Sequence, residues 1–213
     1  MTGTARGRRT REELVDAAAA IFDRDGFAGT TLDTVCAEAE VTKGALYCHF
    51  PSKAALAAAV VERYCPLWWE LAARLSARYP SPAQVLVELT FEVARRLQRD
   101  PAYRASVRLP LHAELADLLA PAHFLGWLAV VRELLRRARR AGELRGDVDV
   151  RTAAESTVAE FAGTHLVARA TAGEHDLVAR VGGMWRQRLP GLVAPETWAR
   201  LSLDPPGADP EPG

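Results

Sequence analysis

Apolar residues recur at helical spacing along almost the whole chain. The first such segment contains Leu14, Ala17, Ala18, Ile21 and Phe22. Their spacing of three and four residues places them on one face of an amphipathic helix, and Gly26 supplies a stop signal after it. No segment alternates apolar and polar residues between hairpin turns, as a strand pair would. The sequence therefore predicts an all-α fold with about nine or ten helices.

Prolines and glycines divide this pattern into segments. A proline lacks the backbone donor that an inner helical turn needs and disfavours helical geometry in the residue before it. Boundaries or kinks are therefore expected near Pro66, Pro80 to Pro82, Pro101, Pro110, Pro121, residues 142–146, Gly173 and Pro190. The two ends, residues 1–8 and 204–213, are predicted to be flexible, since the tail alternates proline, glycine and acid and has little apolar surface to bury.

The composition excludes several classes of protein. Of the 213 residues, 49% are hydrophobic and 25% charged, which is enough apolar material for a core, and the formal net charge of zero excludes a uniformly basic coat for nucleic acid. Cys36, Cys48 and Cys65 contain no C-x-x-C pair, so neither a disulfide framework nor a zinc ribbon is expected. The charged N-terminus lacks the apolar segment of a secretory signal. These features predict a protein of the reducing cytoplasm.

Catalytic and metal sites are not predicted. The sequence has no glycine-rich phosphate loop, no paired cysteine and histidine site and no nucleophile motif, so a helical enzyme is a weak alternative. The histidines outside the first sixty residues lack metal-ligand spacing. They are His112, His123, His165 and His175.

Residues 30–53 carry the most specific pattern. Two short amphipathic helices are separated by a tight turn at Glu40 and Val41, and Thr42 is a good cap for the second helix. Ser52 is a good cap for the next helix. Such a pair buries too little area alone, so the first helix is expected to pack across it and form a three-helix unit.

The second helix of this pair presents a face that suits DNA. The face consists of Lys43, Gly44, Tyr47 and His49. It is small, basic and aromatic and contains no acid, which fits a helix in the major groove. Thr31 and Lys53, each close to a helix N-terminus, are placed for phosphate contacts.

The distribution of charge agrees with this interpretation. Residues 1–11 carry four arginines and no acid, whereas residues 12–40 carry eight acids and only Arg24 as a base. The acids are therefore expected to face away from DNA. An ordinary helical hairpin with solvated charges remains the alternative from spacing alone.

The motif T-K-G-A-L-Y-x-H-F-x-S-K, preceded by F-D-R-D-G-F and T-T-L-D-T-V, resembles the N-terminal domain of TetR-family repressors over residues 10–60. The resemblance implies a homodimer that reads a palindromic operator. It also implies DNA contacts at Thr31, Thr42, Lys43, Gly44, Tyr47, His49 and Lys53. Cys48 departs from the family pattern, which often has an aromatic residue or arginine there. We accordingly expect a DNA-binding domain at residues 9–53 and a ligand-binding and dimerisation domain at residues 54–203.

Two later helices are candidates for a ligand site and a dimer interface. Residues 121–141 place Trp127 on an apolar stripe, and residues 151–172 place the Thr164 hydroxyl, which needs a partner, on another apolar face. Small residues in 151–172, with residues 177–189, are predicted to form the dimer interface. From the residues alone, core packing is the better interpretation of Trp127.

A narrower resemblance concerns the ligand. The segments LTFEVARRLQRDPAYRASVRL and AGTHLVA are similar to γ-butyrolactone receptors of actinomycetes. The resemblance implies a repressor released by a γ-butyrolactone or a related signal, with Trp127 forming a wall of the pocket and Thr164 bonding the polar head of the ligand. The helix from Ser52 to Pro66 is predicted to link the two domains and to transmit movement between them.

A sensor of antibiotics or xenobiotics is the alternative that keeps DNA binding. Cationic drugs require buried acids, for which Glu92, Glu114 and Glu160 are the candidates. Neither a cofactor nor a metal is expected under either interpretation.

Overall fold

The computed structural model describes residues 2–64 and 67–203, and these form eleven α-helices and one short 3-10 helix. The α-helices are α1 (Thr2–Gly29), α2 (Leu32–Glu38), α3 (Lys43–His49), α4 (Lys53–Tyr64), α5 (Leu67–Arg78), α6 (Pro82–Arg99), α7 (Pro101–Arg108), α8 (Ala116–Arg140), α9 (Val150–Ala172), α10 (Leu177–Leu192) and α11 (Pro195–Trp198). The 3-10 helix spans Leu109–Leu111. Among the described residues the only β-type pairing is an isolated bridge between Leu144 and Val193. The all-α prediction is confirmed.

The chain divides into two compact units. Unit 1 contains residues up to 67 together with 99–124, and unit 2 contains residues 68–98 and those from 125 onward. Unit 1 is larger than the predicted DNA-binding domain of residues 9–53, because α4 and α7 both pack against α1. The long-range return of α7 to the first helices leaves no local signal in the sequence.

Unit 1 is built on a continuous apolar core. Leu14 and Ile21 of α1 are buried with Val35 of α2, Leu46 of α3 and Leu56 of α4. These are the apolar positions whose helical spacing predicts the elements. The short helices α2 and α3 pack on α1 and on each other.

Local capping defines where the short helices begin. The Thr42 hydroxyl accepts a hydrogen bond of 3.2 Å from the amide of Ala45, and the Ser52 hydroxyl accepts one of 3.1 Å from the amide of Ala55, as predicted. Gly26 adopts φ of 72°, which interrupts regular helical geometry inside α1 at the predicted stop.

Expectations at the chain ends and at two prolines can be compared with the described residues. Helix α1 begins at Thr2, so most of the segment 1–8 is helical, and its flexibility stays a prediction. Pro121 and Pro190 lie at exposed positions inside α8 and α10, so neither ends a helix, and a kink at either stays a prediction. The tail 204–213 and Cys65 lie outside the described residues.

Unit 2 is organised around α6, which is buried along most of its length. Its Thr90 hydroxyl accepts a hydrogen bond of 2.7 Å from the indole N–H of Trp185 in α10, and both residues are buried. The Glu143 carboxylate accepts from the amide of Ala83 at 2.8 Å and thereby caps the start of α6. These contacts fix α6 against α10 and against the turn after α8.

Helix α8 is long and apolar enough to cross a membrane by length and composition, and no other described helix meets these criteria. A core helix meets them equally well. Trp127, Val130, Val131 and Leu134 of α8 are buried in the protein. Core packing therefore accounts for this part of α8, while Leu118 and Leu125 of the same helix are exposed.

Candidate DNA-binding and ligand-binding sites

Helix α3 separates a buried face from an exposed one. Leu46 is completely buried, whereas Lys43, Gly44 and Tyr47 are exposed, with Tyr47 exposed by 55%. A large aromatic side chain that remains in solvent on a seven-residue helix gains nothing from the core. The exposed face therefore has the composition and accessibility that a major-groove contact requires.

Lys43 is held by an acid of the preceding helix. Its ammonium lies 2.6 Å from the Asp33 carboxylate, and this hydrogen bond raises the pKa of Lys43. Asp33 is thus an exception to the expectation that the acids of residues 12–40 lie away from the DNA-binding face. Both side chains are mostly exposed, so a phosphate or a base edge can replace the carboxylate as partner.

Thr31 and Thr34 form a reciprocal cap at the start of α2. The Thr31 hydroxyl accepts from the amide of Thr34 at 3.1 Å, and the Thr34 hydroxyl accepts from the amide of Thr31 at 3.2 Å. Thr31 remains exposed. The N-terminus of α2 is therefore ordered by its own side chains and accessible to a phosphate.

Lys53 has a structural role that the sequence does not reveal. Its ammonium donates hydrogen bonds of 2.7 Å to the Phe27 carbonyl and 3.0 Å to the Thr30 carbonyl, and it lies 4.3 Å from the centroid of the Phe27 ring. It therefore binds the carbonyls at the end of α1 to the start of α4. A separation of more than twenty residues hides this contact from local sequence patterns.

The arginine-rich start of α1 lies beside the end of α3. A Cβ atom added at Gly7 would lie 3.8 Å from Cε1 of His49, and the guanidinium of Arg11 lies 5.3 Å from the centroid of the Phe50 ring. Arg6 and Arg8 are exposed on this part of α1. The basic segment and α3 therefore belong to one accessible basic surface.

The seven predicted DNA-contact residues differ in their exposure to solvent. Thr31, Thr42, Lys43, Gly44 and Tyr47 are exposed, while His49 and Lys53 are half-buried. Their contact with DNA stays a prediction.

Trp127 lies in a cluster of three aromatic rings. It is 4% exposed, stacks on Trp68 at 5.1 Å between ring centroids and meets Phe161 edge-on, also at 5.1 Å. Its indole N–H is buried without a hydrogen-bond partner among the described residues. A buried donor without an acceptor costs free energy, and a ligand oxygen at this position would satisfy it.

Thr164 lies on the side of α9 that faces α10. Its hydroxyl donates a hydrogen bond of 2.7 Å to the Glu160 carbonyl, and its side chain lines an open groove of about 990 Å³ between the two helices. The wall of this groove includes Gly163, Gly183 and Met184. No described contact joins Thr164 to Trp127, so a shared role in ligand binding stays a prediction.

The acids singled out from the sequence are not buried and unpaired. Glu92 pairs with Arg95 and Arg96 at 3.2 and 3.3 Å, Glu160 pairs with Arg188, and Glu114 is exposed.

The sequence pattern does not identify two acids that are buried in the structure. Glu88 is 2% exposed and accepts from the Gln84 amide at 3.1 Å, and burial raises the pKa of its carboxyl. Glu174, also 2% exposed, lies 2.7 Å from Nε2 of His165. Neither carries a motif that identifies it, because burial is a property of the tertiary structure. Within residues 2–64 and 67–203, no group of three or more acid, histidine or cysteine side chains is arranged to hold a metal.

Unit 1 has the features of a helix-turn-helix DNA-binding domain, and comparison with known proteins identifies the class. Residues 14–60 match the model of bacterial regulatory proteins of the TetR family, and residues 81–194 match the tetracyclin repressor-like C-terminal domain. The chain belongs to the TetR family of transcriptional regulators.

Several proteins of this family are similar to the chain over most of its length. The A-factor receptor protein of Streptomyces griseus is 33% identical over 94% of this chain and 70% of its own length. A crystal structure of a γ-butyrolactone receptor, described as ArpA-like, is 35% identical with a TM-score of 0.74, over 92% of this chain and 94% of that one. CprB from Streptomyces coelicolor in complex with its operator is 35% identical with a TM-score of 0.73, over the same shares.

Proposed function

We propose that this protein is a dimeric repressor of the cytoplasm that binds a palindromic operator and is released from it by a γ-butyrolactone-type signal. The observation that carries the proposal is the exposed face of α3, with Tyr47 in solvent beside Lys43 and Gly44. The similarity to an operator-bound regulator and to a γ-butyrolactone receptor supports both parts.

The DNA-binding part rests on a surface that is basic only locally. Lys43, Tyr47 and the exposed Arg6 and Arg8 supply donors on one side of unit 1, while the whole chain is neutral. Selection from a random duplex library tests this part directly. We expect enrichment of a palindrome whose half-sites are separated by about one helical turn or an extended spacing. Recovery of no specific sequence at moderate salt would contradict it.

The ligand-binding part rests on Trp127. Its buried, unpartnered N–H is suited to a ring or acyl carbonyl, and Trp68 and Phe161 supply the apolar walls that an acyl chain needs. A titration with a synthetic 2-acyl γ-butyrolactone, followed by intrinsic tryptophan fluorescence, tests the site. We expect saturable quenching that Trp127→Phe weakens at least tenfold in apparent Kd, since loss of the buried indole donor leaves the ligand oxygen unpaired.

Thr164 is proposed as the partner of the polar head of the ligand. Its hydroxyl already donates to the Glu160 carbonyl, so only its acceptor capacity is available without a rotation. Thr164→Val in the same titration is expected to weaken binding less than Trp127→Phe. An unchanged Kd in this variant would show that Thr164 lines the groove but does not bind the ligand.

The homodimer is proposed to form through α9 and α10. Val167 and Leu166 are exposed by 52% and 43%, and Gly163, Gly183 and Gly191 allow the backbone of a second copy to approach closely. Sedimentation velocity should give a dimer for the native chain and a monomer for Gly163→Arg, which inserts a long charged side chain into the groove. Leu118→Arg, on an exposed residue of α8, is the matched control.

A sensor of cationic antibiotics is less well supported. Glu92 and Glu160 already have arginine partners, and Glu88 is buried, with burial raising the pKa of its carboxyl. A fluorescence titration with a cationic dye such as ethidium distinguishes the two classes. Binding of the dye in competition with the lactone would favour this alternative.

A further inference from the structure

A buried acid on α1 is bound by two arginines of α7. The Asp23 carboxylate accepts from Nε and Nη2 of Arg104 at 3.1 and 2.7 Å and from Nη1 of Arg108 at 3.0 Å. The exposed fractions of the three side chains are 12%, 18% and 27%. The pairing of Arg104 uses two nitrogens on two oxygens, which fixes its orientation as well as its distance.

Helix α7, which carries both arginines of this ion-pair cluster, follows α6 almost directly in the chain. Helix α6 ends at Arg99 and α7 begins at Pro101, so Asp100 alone separates the two helices. Asp100 caps α7 by accepting from the amide of Tyr103 at 3.1 Å. Helix α7, which packs on α1, thus follows α6 after a single residue.

The end of α1 has a second contact with the segment after α7. The ring of Phe27 lies 5.1 Å from the ring of His112 between centroids, on the chain that follows the 3-10 helix. The Lys53 ammonium at the start of α4 lies over the same Phe27 ring. Asp23 and Phe27, one helical turn apart, therefore join α1 to α7, to the segment after it and to α4.

We propose that Asp23 is a positioning residue, which anchors the helix-turn-helix unit to α7 through Arg104 and Arg108 and thereby sets the operator spacing that the dimer accepts. This proposal rests on the proposed function of operator binding. Removal of the charge leaves the α3 face and the apolar packing between α1 and α7 intact, but it takes away the hydrogen bonds that fix the orientation of α7 on α1. The variant protein then tolerates half-sites at several separations.

Burial of the cluster explains why a single change suffices. A carboxylate that is 12% exposed has lost most of its water, and its three hydrogen bonds from guanidinium groups replace that hydration. Asp23→Asn keeps the shape of the side chain but removes its charge, and leaves two arginines facing a neutral amide. Arg104→Lys keeps the charge but cannot reproduce the two-nitrogen contact.

Asp16 supplies a matched control on the same helix. It also accepts from an arginine and a second donor, Nη2 of Arg63 and the hydroxyl of Tyr64, each at 3.2 Å, but these partners belong to α4 and the carboxylate is half exposed. Asp16→Asn thus removes the same charge from α1 without affecting α7.

The test measures the Kd of each full-length variant for a series of duplexes that carry the operator half-site selected with the native protein. The half-sites differ in separation by about two or three base pairs from the selected one, which rotates and shifts one site relative to the other. We expect the native chain and Asp16→Asn to prefer the selected separation by about tenfold or more, within the usual range of coupling between sites. Asp23→Asn and Arg104→Lys should lower this preference to about threefold or less while they still bind the half-site.

Circular dichroism and thermal unfolding accompany each measurement. If Asp23→Asn does not fold, Arg104→Lys decides the question, since it retains a cation beside the carboxylate. A folded Arg104→Lys variant with the native spacing preference would overturn the positioning role. If the native chain selects no half-site at all, operator binding itself fails, which is a different outcome.

Discussion

The ammonium of Lys53 lies 4.3 Å from the centroid of the Phe27 ring. It also donates to two carbonyls at the end of α1, so the residue joins α1 and α4 in the protein without DNA. A residue that the family motif marks for DNA contact thus also stabilises the domain that presents α3.

Lys53→Gln should therefore lower stability. The variant loses two charge-assisted hydrogen bonds and a cation–π contact, which together contribute about 1–3 kcal/mol. Urea unfolding of native and variant chains measures this difference. Operator binding separates the second role: if Lys53 also contacts a phosphate, the slope of log Kd against log salt falls by about one. An unchanged slope would restrict Lys53 to the structural role.

Tyr47→Ala should weaken operator binding without affecting stability. The side chain is 55% exposed and makes no core contact that the fold requires, while its position on α3 is suited to base or phosphate contacts. We expect a loss of at least tenfold in operator affinity, consistent with about 1–3 kcal/mol for a specific contact. Cys48→Ser, an exposed neighbour on the same helix, should bind nearly as well as the native chain. Equal affinities for all three proteins would remove α3 from the DNA interface.

Trp185→Phe should destabilise the protein by about 1–3 kcal/mol. The change keeps most of the aromatic volume but removes the 2.7 Å hydrogen bond from the indole to the Thr90 hydroxyl in a completely buried place. A double-mutant cycle with Thr90→Ala, measured by chemical denaturation, isolates the interaction. Additive single effects would show that the hydrogen bond contributes little.

Stability should fall as the pH is lowered from 6.5 towards 4, in part because of His123. Burial lowers the pKa of His123 from 6.5 to about 4, so the folded state holds the ring neutral where the unfolded state binds a proton. Above pH 6.5 the ring is mostly neutral in both states, so its titration does not reduce stability. As the pH falls towards 4, proton binding by the unfolded state lowers the free energy of unfolding by up to about 3 kcal/mol. His123→Gln should remove that part of the pH dependence. Parallel pH profiles for native and variant chains would show that His123 is solvated or already charged.

Much of unit 1 is predictable from the sequence because its determinants are local. Thr42 and Ser52 cap the helices that the pattern assigns to them, and the spacing around Leu46 identifies the buried face of α3. The anchor between Asp23 and Arg104 was not predictable, since its partners are 81 residues apart and neither carries a motif.

Proline does not end a helix at two of the expected positions. The pattern predicts a boundary or a kink at Pro121 and Pro190, and both residues lie at exposed positions inside helices that continue past them. The proposed ligand site follows from the resemblance and not from the periodicity. By periodicity alone, Trp127 is a core residue, and its unpartnered N–H is visible only in three dimensions.

Release of operator DNA by a lactone tests the central claim most directly. Fluorescence anisotropy of a labelled operator, bound by the native protein, is followed during addition of a synthetic 2-acyl γ-butyrolactone, with Trp127→Ala as the comparison. We predict that the lactone releases DNA from the native dimer, while Trp127→Ala keeps its operator affinity and no longer responds. Operator binding that ignores the lactone, or a Trp127→Ala variant that responds as the native chain does, would contradict the account.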